Sequence, residues 1–246
     1  MALGASNLTR GFHTVVSTAR ETWGRDVEVL AALGHGRSYG AQSRVLGRAL
    51  PGILESGLWR ELESRPQAVT RGLVTDVGND IFYGFPPEQV LAWVAEAIVR
   101  LRRFTTDITV TDLPLANAQR MSDAGFVVFR SILVPSCHLS LTEVRARAER
   151  VNAGLVELAA THGATLFRLK PEWYGIDPIH IRPSLWRPAW QQILGSDVRT
   201  DGRRRSLLES VRLYLLRPER RWLFGVEQVT PQKGVALQSG ARVWLY

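Results

Sequence analysis

Two segments near opposite ends of the sequence carry groups that nucleophilic acyl transfer requires. Ser6 lies where a predicted strand ends and the first helix begins, and the positive end of that helix favours a developing oxyanion. Asp177 precedes His180 by three residues, across a turn stiffened by Pro178. Its carboxylate can accept from the imidazole Nδ1–H, which leaves Nε2 free to act as a base. Each group also has an ordinary interpretation: serine is a preferred helix N-cap, and Asp-x-x-His is compatible with a surface turn.

Two further segments could donate hydrogen bonds to such an oxyanion. Gly40 closes the run Gly36-Arg37-Ser38-Tyr39-Gly40, and a glycine lets a backbone amide approach a substrate oxygen closely. Asn79 lies in Val77-Gly78-Asn79-Asp80, and a side-chain amide is a good oxyanion donor. Both runs are also ordinary turn sequences, so neither segment defines a site alone.

Few other residues have side chains that could take part in catalysis or bind a ligand. His35 lies beside the glycine run and is a candidate substrate contact, and Tyr83 is a candidate pocket wall; the alternative for both is a structural role. The single cysteine, Cys137, precedes His138, but adjacent residues on a strand point to opposite faces, so we predict a buried or incidental thiol. Histidines and carboxylates are not grouped at ligand spacing, so we predict no metal and no other cofactor.

The candidate residues follow predicted strands. Short apolar runs alternate with longer amphipathic runs, which favours an α/β fold with a parallel sheet, where ligands bind at the carboxyl ends of the strands. The segment 125–134 is compatible with a strand or a buried loop. The predicted strands span 27–33, 72–76, 107–112 and 164–169, and the predicted helices span 7–23, 87–103, 140–162 and 184–194.

Composition narrows the class of protein. The chain has 246 residues and a formal charge of +8. Residues 201–246 hold nine basic against four acidic side chains, and we interpret them as a basic appendage, a helix and a hairpin, packed on the domain formed by residues 1–200. No apolar run is long enough to span a bilayer, and the start has no secretory signal, so we expect a cytoplasmic protein. We expect no specific nucleic-acid partner; the oligomeric state is left open.

Together the four segments resemble the conserved blocks of the SGNH (GDSL-type) hydrolase superfamily. Gly4-Ala5-Ser6-Asn7-Leu8 is similar to block I, Gly40 to the block II glycine, Val77-Gly78-Asn79-Asp80 to block III and Asp177-Pro178-Ile179-His180 to block V. The resemblance implies a three-layer α/β/α sandwich of flavodoxin-like type with a mostly parallel sheet. It also implies a Ser6–His180–Asp177 triad, with an oxyanion hole formed by the N–H groups of Ser6 and Gly40 and the side chain of Asn79.

The sequence departs from the family pattern at three places. Ala5 replaces the block I aspartate, which we expect to alter how the Ser6 loop is braced. Val77 replaces the first block III glycine. Only three residues precede Gly4, so we expect the central first strand to be very short, as in a sequence clipped at its start.

The sequence therefore predicts a serine-dependent hydrolase for a small ester, an acylated carbohydrate or a lysolipid. O-acyl transfer would use the same residues and is not separated from hydrolysis. An alternative from another class is an inactive SGNH-like module that binds nucleic acid or an anionic membrane through Arg203, Arg204 and Arg205.

Overall fold

The computed structural model describes residues 1–133, 137–196 and 207–246, and its strands form two sheets. The strands run in chain order as β1 (Ala2–Leu3), β2 (Glu28–Ala32), β3 (Ser43–Val45), β4 (Arg48–Leu50), β5 (Gly72–Val74), β6 (Ile108–Thr111), β7 (Thr165–Phe167), β8 (Arg220–Leu223), β9 (Val226–Val229), β10 (Val235–Ala236) and β11 (Arg242–Leu245).

The main sheet has seven strands in the order β10-β11-β2-β1-β5-β6-β7. All neighbouring pairs are parallel except β10 with β11. β1 has only two residues, yet it lies at the centre and pairs with β2 on one side and β5 on the other. The expected α/β class with a mostly parallel sheet is confirmed.

Helices flank both faces of this sheet, as a three-layer sandwich requires. Alternate strand residues divide between two cores: Leu3 and Val74 face one, and Ala2 and Leu73 face the other. Two helices, α5 (Pro87–Arg102) and α8 (Leu141–Thr161), cover the first core, and α2 (Phe12–Trp23) and α9 (Trp186–Ile193) cover the second. The helices are α1 (Ser6–Arg10), α2 (Phe12–Trp23), α3 (Leu58–Ser64), α4 (Asn79–Phe82), α5 (Pro87–Arg102), α6 (Leu115–Arg120), α7 (Asp123–Leu133), α8 (Leu141–Thr161), α9 (Trp186–Ile193) and α10 (Leu207–Tyr214), with short 3₁₀ turns at Ile53–Glu55, Pro171–Trp173 and Pro183–Leu185.

The first helix differs from its prediction. The sequence predicts one helix over 7–23, whereas the structure has two that meet at Gly11. A Cβ at Gly11 would lie 2.1 Å from Trp190 Nε1, so the close approach of α9 requires glycine at this joint. The segment 125–134 belongs to α7 as far as it is described. The helix predicted over 140–162 is present as α8, and Ser140 and Glu143 form a capping box at its start.

The C-terminal segment contributes to both sheets. The hairpin expected over 235–246 is present as β10 and β11, and β11 pairs along its length with β2, so these residues extend the main sheet. β3, β4, β8 and β9 form a second, antiparallel sheet that the sequence did not predict. The expected boundary at 200/201 and Arg203, Arg204 and Arg205 lie outside the described residues. Within the described residues, no helix combines the length and apolar character of a membrane span.

Candidate active site

Three side chains meet at the carboxyl edge of the main sheet. Ser6 is the first residue of α1, directly beyond the end of β1, and His180 lies on the long connection after β7. His180 Nε2 is 2.9 Å from Ser6 Oγ, and His180 Nδ1 is 2.6 Å from Asp177 Oδ2. Ser6 and His180 are both buried. With Nδ1–H donating to Asp177, Nε2 accepts the Ser6 hydroxyl proton, which is the geometry of an activated nucleophile.

Asp177 is held as an anion. Burial acts to raise the pKa of this carboxyl group, but the hydrogen bond and the nearby charge of His180, the Ile179 amide and Arg10 outweigh it, so its pKa lies below the usual value. Arg10 Nη1 lies 3.9 Å from Asp177 Oδ2. The ionised Asp177 can therefore fix the imidazole tautomer and stabilise an imidazolium that forms beside it.

Asp76 braces the loop that carries Ser6. Its Oδ2 accepts hydrogen bonds from the Ala5 N–H at 2.9 Å and the Leu8 N–H at 3.0 Å, and its Oδ1 accepts from Asn7 Nδ2 at 2.9 Å. Asp76 has a φ of 59°, a left-handed conformation that aspartate adopts more readily than most residues. The backbone on both sides of Ser6 is thus tied to a side chain at the end of β5.

Asn7 joins the nucleophile loop to the histidine loop. Its Nδ2 also donates to the Ile179 carbonyl at 2.9 Å, and its Oδ1 accepts from the Ile181 N–H at 2.8 Å. These two bonds grip the backbone on either side of His180. One side chain therefore holds the segment with His180 against the segment with Ser6, although the two segments are more than 170 positions apart. Sequence reasoning missed the roles of both Asn7 and Asp76.

The three expected oxyanion donors have different surroundings. The Ser6 amide is the first of α1, and such amides have no partner within their helix. Asn79 opens α4, and its Nδ2 donates to the Asp76 carbonyl at 3.2 Å, which places it beside the brace of the Ser6 loop. The Gly40 amide donates to Ser38 Oγ at 3.2 Å. A Cβ on Gly40 would lie 2.0 Å from the Trp93 ring, so Gly40 packs closely against α5.

His35 lies within electrostatic range of the triad. Burial, followed by the charges of Arg48, Arg10 and His180, lowers the pKa of its imidazole to about 4. His35 is therefore neutral near pH 7 and can offer one donor and one acceptor nitrogen.

Tyr83, which directly follows α4, contacts the turn that contains Gly36. Its hydroxyl donates to the Gly36 carbonyl at 2.5 Å, and burial together with Asp80 raises its pKa to about 12. This bond anchors the glycine turn against the helix that begins at Asn79. Tyr83 is half-buried, and its hydroxyl group is bonded to the protein backbone.

A second buried group supports the turn after β2. Asp80 Oδ2 accepts from the Tyr39 N–H at 3.0 Å, and the Tyr39 hydroxyl lies 2.8 Å from the Thr75 carbonyl and 3.2 Å from the Leu3 carbonyl. Tyr39 therefore ties the ends of β1 and β5 to this turn. Burial outweighs the hydrogen bonds that Asp80 accepts from the Ser38 side chain and the Tyr39 amide, and it raises the pKa of Asp80 to about 6.

Two cavities lie at opposite edges of the molecule. One cavity of about 650 Å³ lies between α6 and the connection that carries Asp177 and His180. Its lining includes Asn117, Arg120, Tyr174, Pro178 and Arg182. The larger, about 1440 Å³, lies at the amino edge of the strands, away from Ser6. The smaller cavity is therefore the one adjacent to the candidate chemistry. In the parts of the chain that the structure describes, no group of three or more potential ligands is arranged to hold a metal ion.

No family model and no curated protein matches the sequence. The site is therefore interpreted from its own geometry. That geometry consists of a hydrogen-bonded Ser–His–Asp series, a braced nucleophile loop and a helix N-terminus at the nucleophile.

Proposed function

We propose that the protein is a serine-dependent ester hydrolase in which Ser6 is the nucleophile, His180 the general base and Asp177 the group that orients it. The observation that carries the proposal is the continuous hydrogen-bonded series from Ser6 Oγ through both imidazole nitrogens to Asp177 Oδ2, at 2.9 and 2.6 Å. Serine is also a preferred helix N-cap, but the N-cap position of α1 is occupied by Ala5, and Ser6 is the first residue of the helix itself.

The reaction follows from this arrangement. Ser6 Oγ attacks the ester carbonyl carbon while its proton passes to His180 Nε2, giving a tetrahedral oxyanion and an imidazolium paired with Asp177. The carbon–oxygen bond to the alcohol breaks, and the leaving alkoxide takes the proton from Nε2. A water molecule then attacks the acyl-Ser6 carbonyl, again giving its proton to Nε2, and carboxylic acid leaves as Ser6 regains its hydrogen.

The oxyanion of both intermediates needs donors that are already in place. The Ser6 amide at the start of α1 and the Asn79 side chain at the start of α4 are the two that support this role best, since helix N-termini favour negative charge. Gly40 remains the third donor proposed from the family resemblance, and it would have to release its bond to Ser38. A small ester, an acylated carbohydrate or a lysolipid fits this chemistry.

The decisive experiment compares Ser6→Ala with Ser17→Ala on p-nitrophenyl acetate and butyrate. Ser17 is a partly buried serine on α2 whose hydroxyl donates to the Thr14 carbonyl, so it is a matched control. We expect Ser6→Ala to lower kcat by at least about 10⁴-fold with an unchanged circular dichroism spectrum, and Ser17→Ala to retain activity. A fluorophosphonate should phosphonylate Ser6 in the unmodified protein, with loss of fluoride, and mass spectrometry of peptides identifies the site. Turnover that survives Ser6→Ala would refute the proposal.

A further inference from the structure

Two adjacent turns of the second sheet present large apolar side chains to solvent. Leu46 joins β3 to β4 and is 95% exposed, and Phe224 joins β8 to β9 and is 88% exposed. Both have left-handed backbone conformations, with φ of 48° and 49°, and each is followed by a glycine with positive φ. Such two-residue turns favour asparagine, aspartate or glycine at the first position, because a Cβ there is strained. Neither burial nor turn geometry accounts for leucine and phenylalanine at these places.

The two turns lie side by side. The Phe224 N–H donates to the Gly47 carbonyl at 2.7 Å, and a Cβ on Gly47 would lie 2.6 Å from the Phe224 ring. Leu46 and Phe224, here named the apolar tips, therefore form one protruding apolar projection. Such a projection becomes buried only when it inserts into a binding partner or into a lipid layer.

Arginines outnumber carboxylates around the apolar tips, and Glu227 on β9 is paired with Arg220. Arg44, Arg48, Arg217 and Arg221 form what we name the basic rim, on or next to the strands that carry the tips. Arg221 lies close enough to Arg48 to lower the pKa of that guanidinium group, although burial contributes most, and Arg217 acts in the same way on Arg221. The arginines therefore crowd one another, and they would gain from an anionic partner that separates their charges.

The apolar surface continues onto α10. Tyr214 is 81% exposed and lies within electrostatic range of Arg48, so the helix borders the basic rim. Leu213 is buried against the core, whereas Leu208, Val211 and Leu215 are exposed. The helix thus presents a second apolar face alongside the tips.

This surface adjoins the candidate active site. Val45, next to Leu46, has its Cγ2 2.8 Å from the position that a Cβ on Gly36 would occupy. Arg48 lies within electrostatic range of His35, and His35 within range of His180. A partner bound at the tips would lie near the turn that borders the triad.

We propose that the apolar tips and the basic rim dock the protein onto an anionic lipid surface, with Leu46 and Phe224 inserted among the acyl chains and the arginines on lipid phosphates. The charge of the basic rim favours a lipid surface over a second copy of this chain as the partner. A second copy would bring a rim of the same charge, whereas anionic lipid supplies both the counter-charge and an apolar layer beneath it. Docking would present membrane esters to Ser6, and that consequence alone rests on the proposed function.

The test measures co-sedimentation with vesicles of phosphatidylcholine alone and of equal parts phosphatidylcholine and phosphatidylglycerol. All proteins carry Ser6→Ala, so that hydrolysis cannot alter the lipid and the result does not depend on catalysis. The key variant is the double substitution Leu46→Asn and Phe224→Asn, because asparagine accepts the left-handed turn conformation and the fold should be retained or stabilised. The matched control is Val69→Asn, which removes another exposed apolar side chain at the opposite edge of the main sheet.

We expect binding to the anionic vesicles only, weakened by high NaCl, about 100-fold weaker in the double variant and unchanged in Val69→Asn. Arg44→Gln with Arg221→Gln should weaken binding about tenfold. Absent binding, or equal binding by the folded double variant, would overturn the proposal. So would a dimer that light scattering finds for the parent protein and not for the double variant, since the surface would then belong to a second copy.

Discussion

Asp76 is the side chain whose removal should separate the positioning of the nucleophile from its chemistry. Asp76→Ala removes three hydrogen bonds, from the amides of Ala5 and Leu8 and from the Asn7 side chain. Asp76→Asn can keep an oxygen facing both amides, but it turns an NH₂ group towards Asn7 Nδ2. Asn7 cannot rotate its amide to adapt, because it would lose its bonds to Ile179 and Ile181.

The size of the effect follows from these bonds. A hydrogen bond to a charged group contributes about 1.5–3 kcal/mol, and the partial exposure of Asp76 places each bond near or below the lower limit. Alanine in the left-handed conformation adds about 1 kcal/mol. We therefore expect Asp76→Ala to lower the free energy of unfolding by about 4 kcal/mol. If about 3 kcal/mol of this holds Ser6 in its productive position, kcat falls about 100-fold; Asp76→Asn loses one bond, and kcat falls about tenfold.

The assay combines ester hydrolysis with urea unfolding. KM should change little in both variants, because Asp76 bonds to the protein and not to the substrate. Asp26→Ala, which removes an exposed carboxylate from the turn before β2, is the control and should leave kcat and stability unchanged. A folded Asp76→Ala protein with the parental kcat would refute the reasoning, since the brace would then be structural only.

Two further predictions concern neighbouring side chains of α4. Asn79→Ala should lower kcat by about 10²–10³-fold with little change in thermal midpoint, because one long bond to the Asp76 carbonyl is lost; unchanged kcat would place the oxyanion donor elsewhere. Asp80 has a pKa raised from 3.8 to about 6, so the folded state binds more protons than the unfolded state between these values, and parental stability falls as pH rises through this window. Asp80→Asn does not titrate, so its stability relative to the parent should rise by about 2 kcal/mol from pH 4 to pH 7 in urea unfolding, and a difference independent of pH would contradict this assignment.

The grouping of Ser6 with Asp177 and His180 follows from the resemblance to the SGNH blocks and not from a readable strand, because only three residues precede Gly4. The apolar runs before the other segments could predict the parallel sheet, whose strands bring their carboxyl ends to one edge, so segments far apart in sequence converge there. The Asp177–His180 pair is local, and its geometry follows from a three-residue spacing across a proline turn.

Asp76 and Asn7 could not be identified in this way. Apart from their bond to each other, their partners are backbone atoms, and backbone atoms leave no residue type in the sequence to read. The second sheet escaped prediction for a related reason: its strands have three or four residues, and Arg48–Leu50 pairs with a strand more than 170 positions away. At the joint between α1 and α2, Gly11 lies against Trp190, which is again a long-range contact.

The short β1 has a consequence for how the protein assembles. Its backbone bonds are lateral: the Gly4 amide donates to Ala32, and the Thr75 amide donates to the Leu3 carbonyl. Two residues cannot form a strand until both neighbours are present, and the partners lie about 30 and 70 residues along the chain. Such non-local pairings form slowly because loop closure precedes their gain. β1 therefore gains its full pairing only when β2 and β5 are both in place, so the position of Ser6 depends on two loop closures.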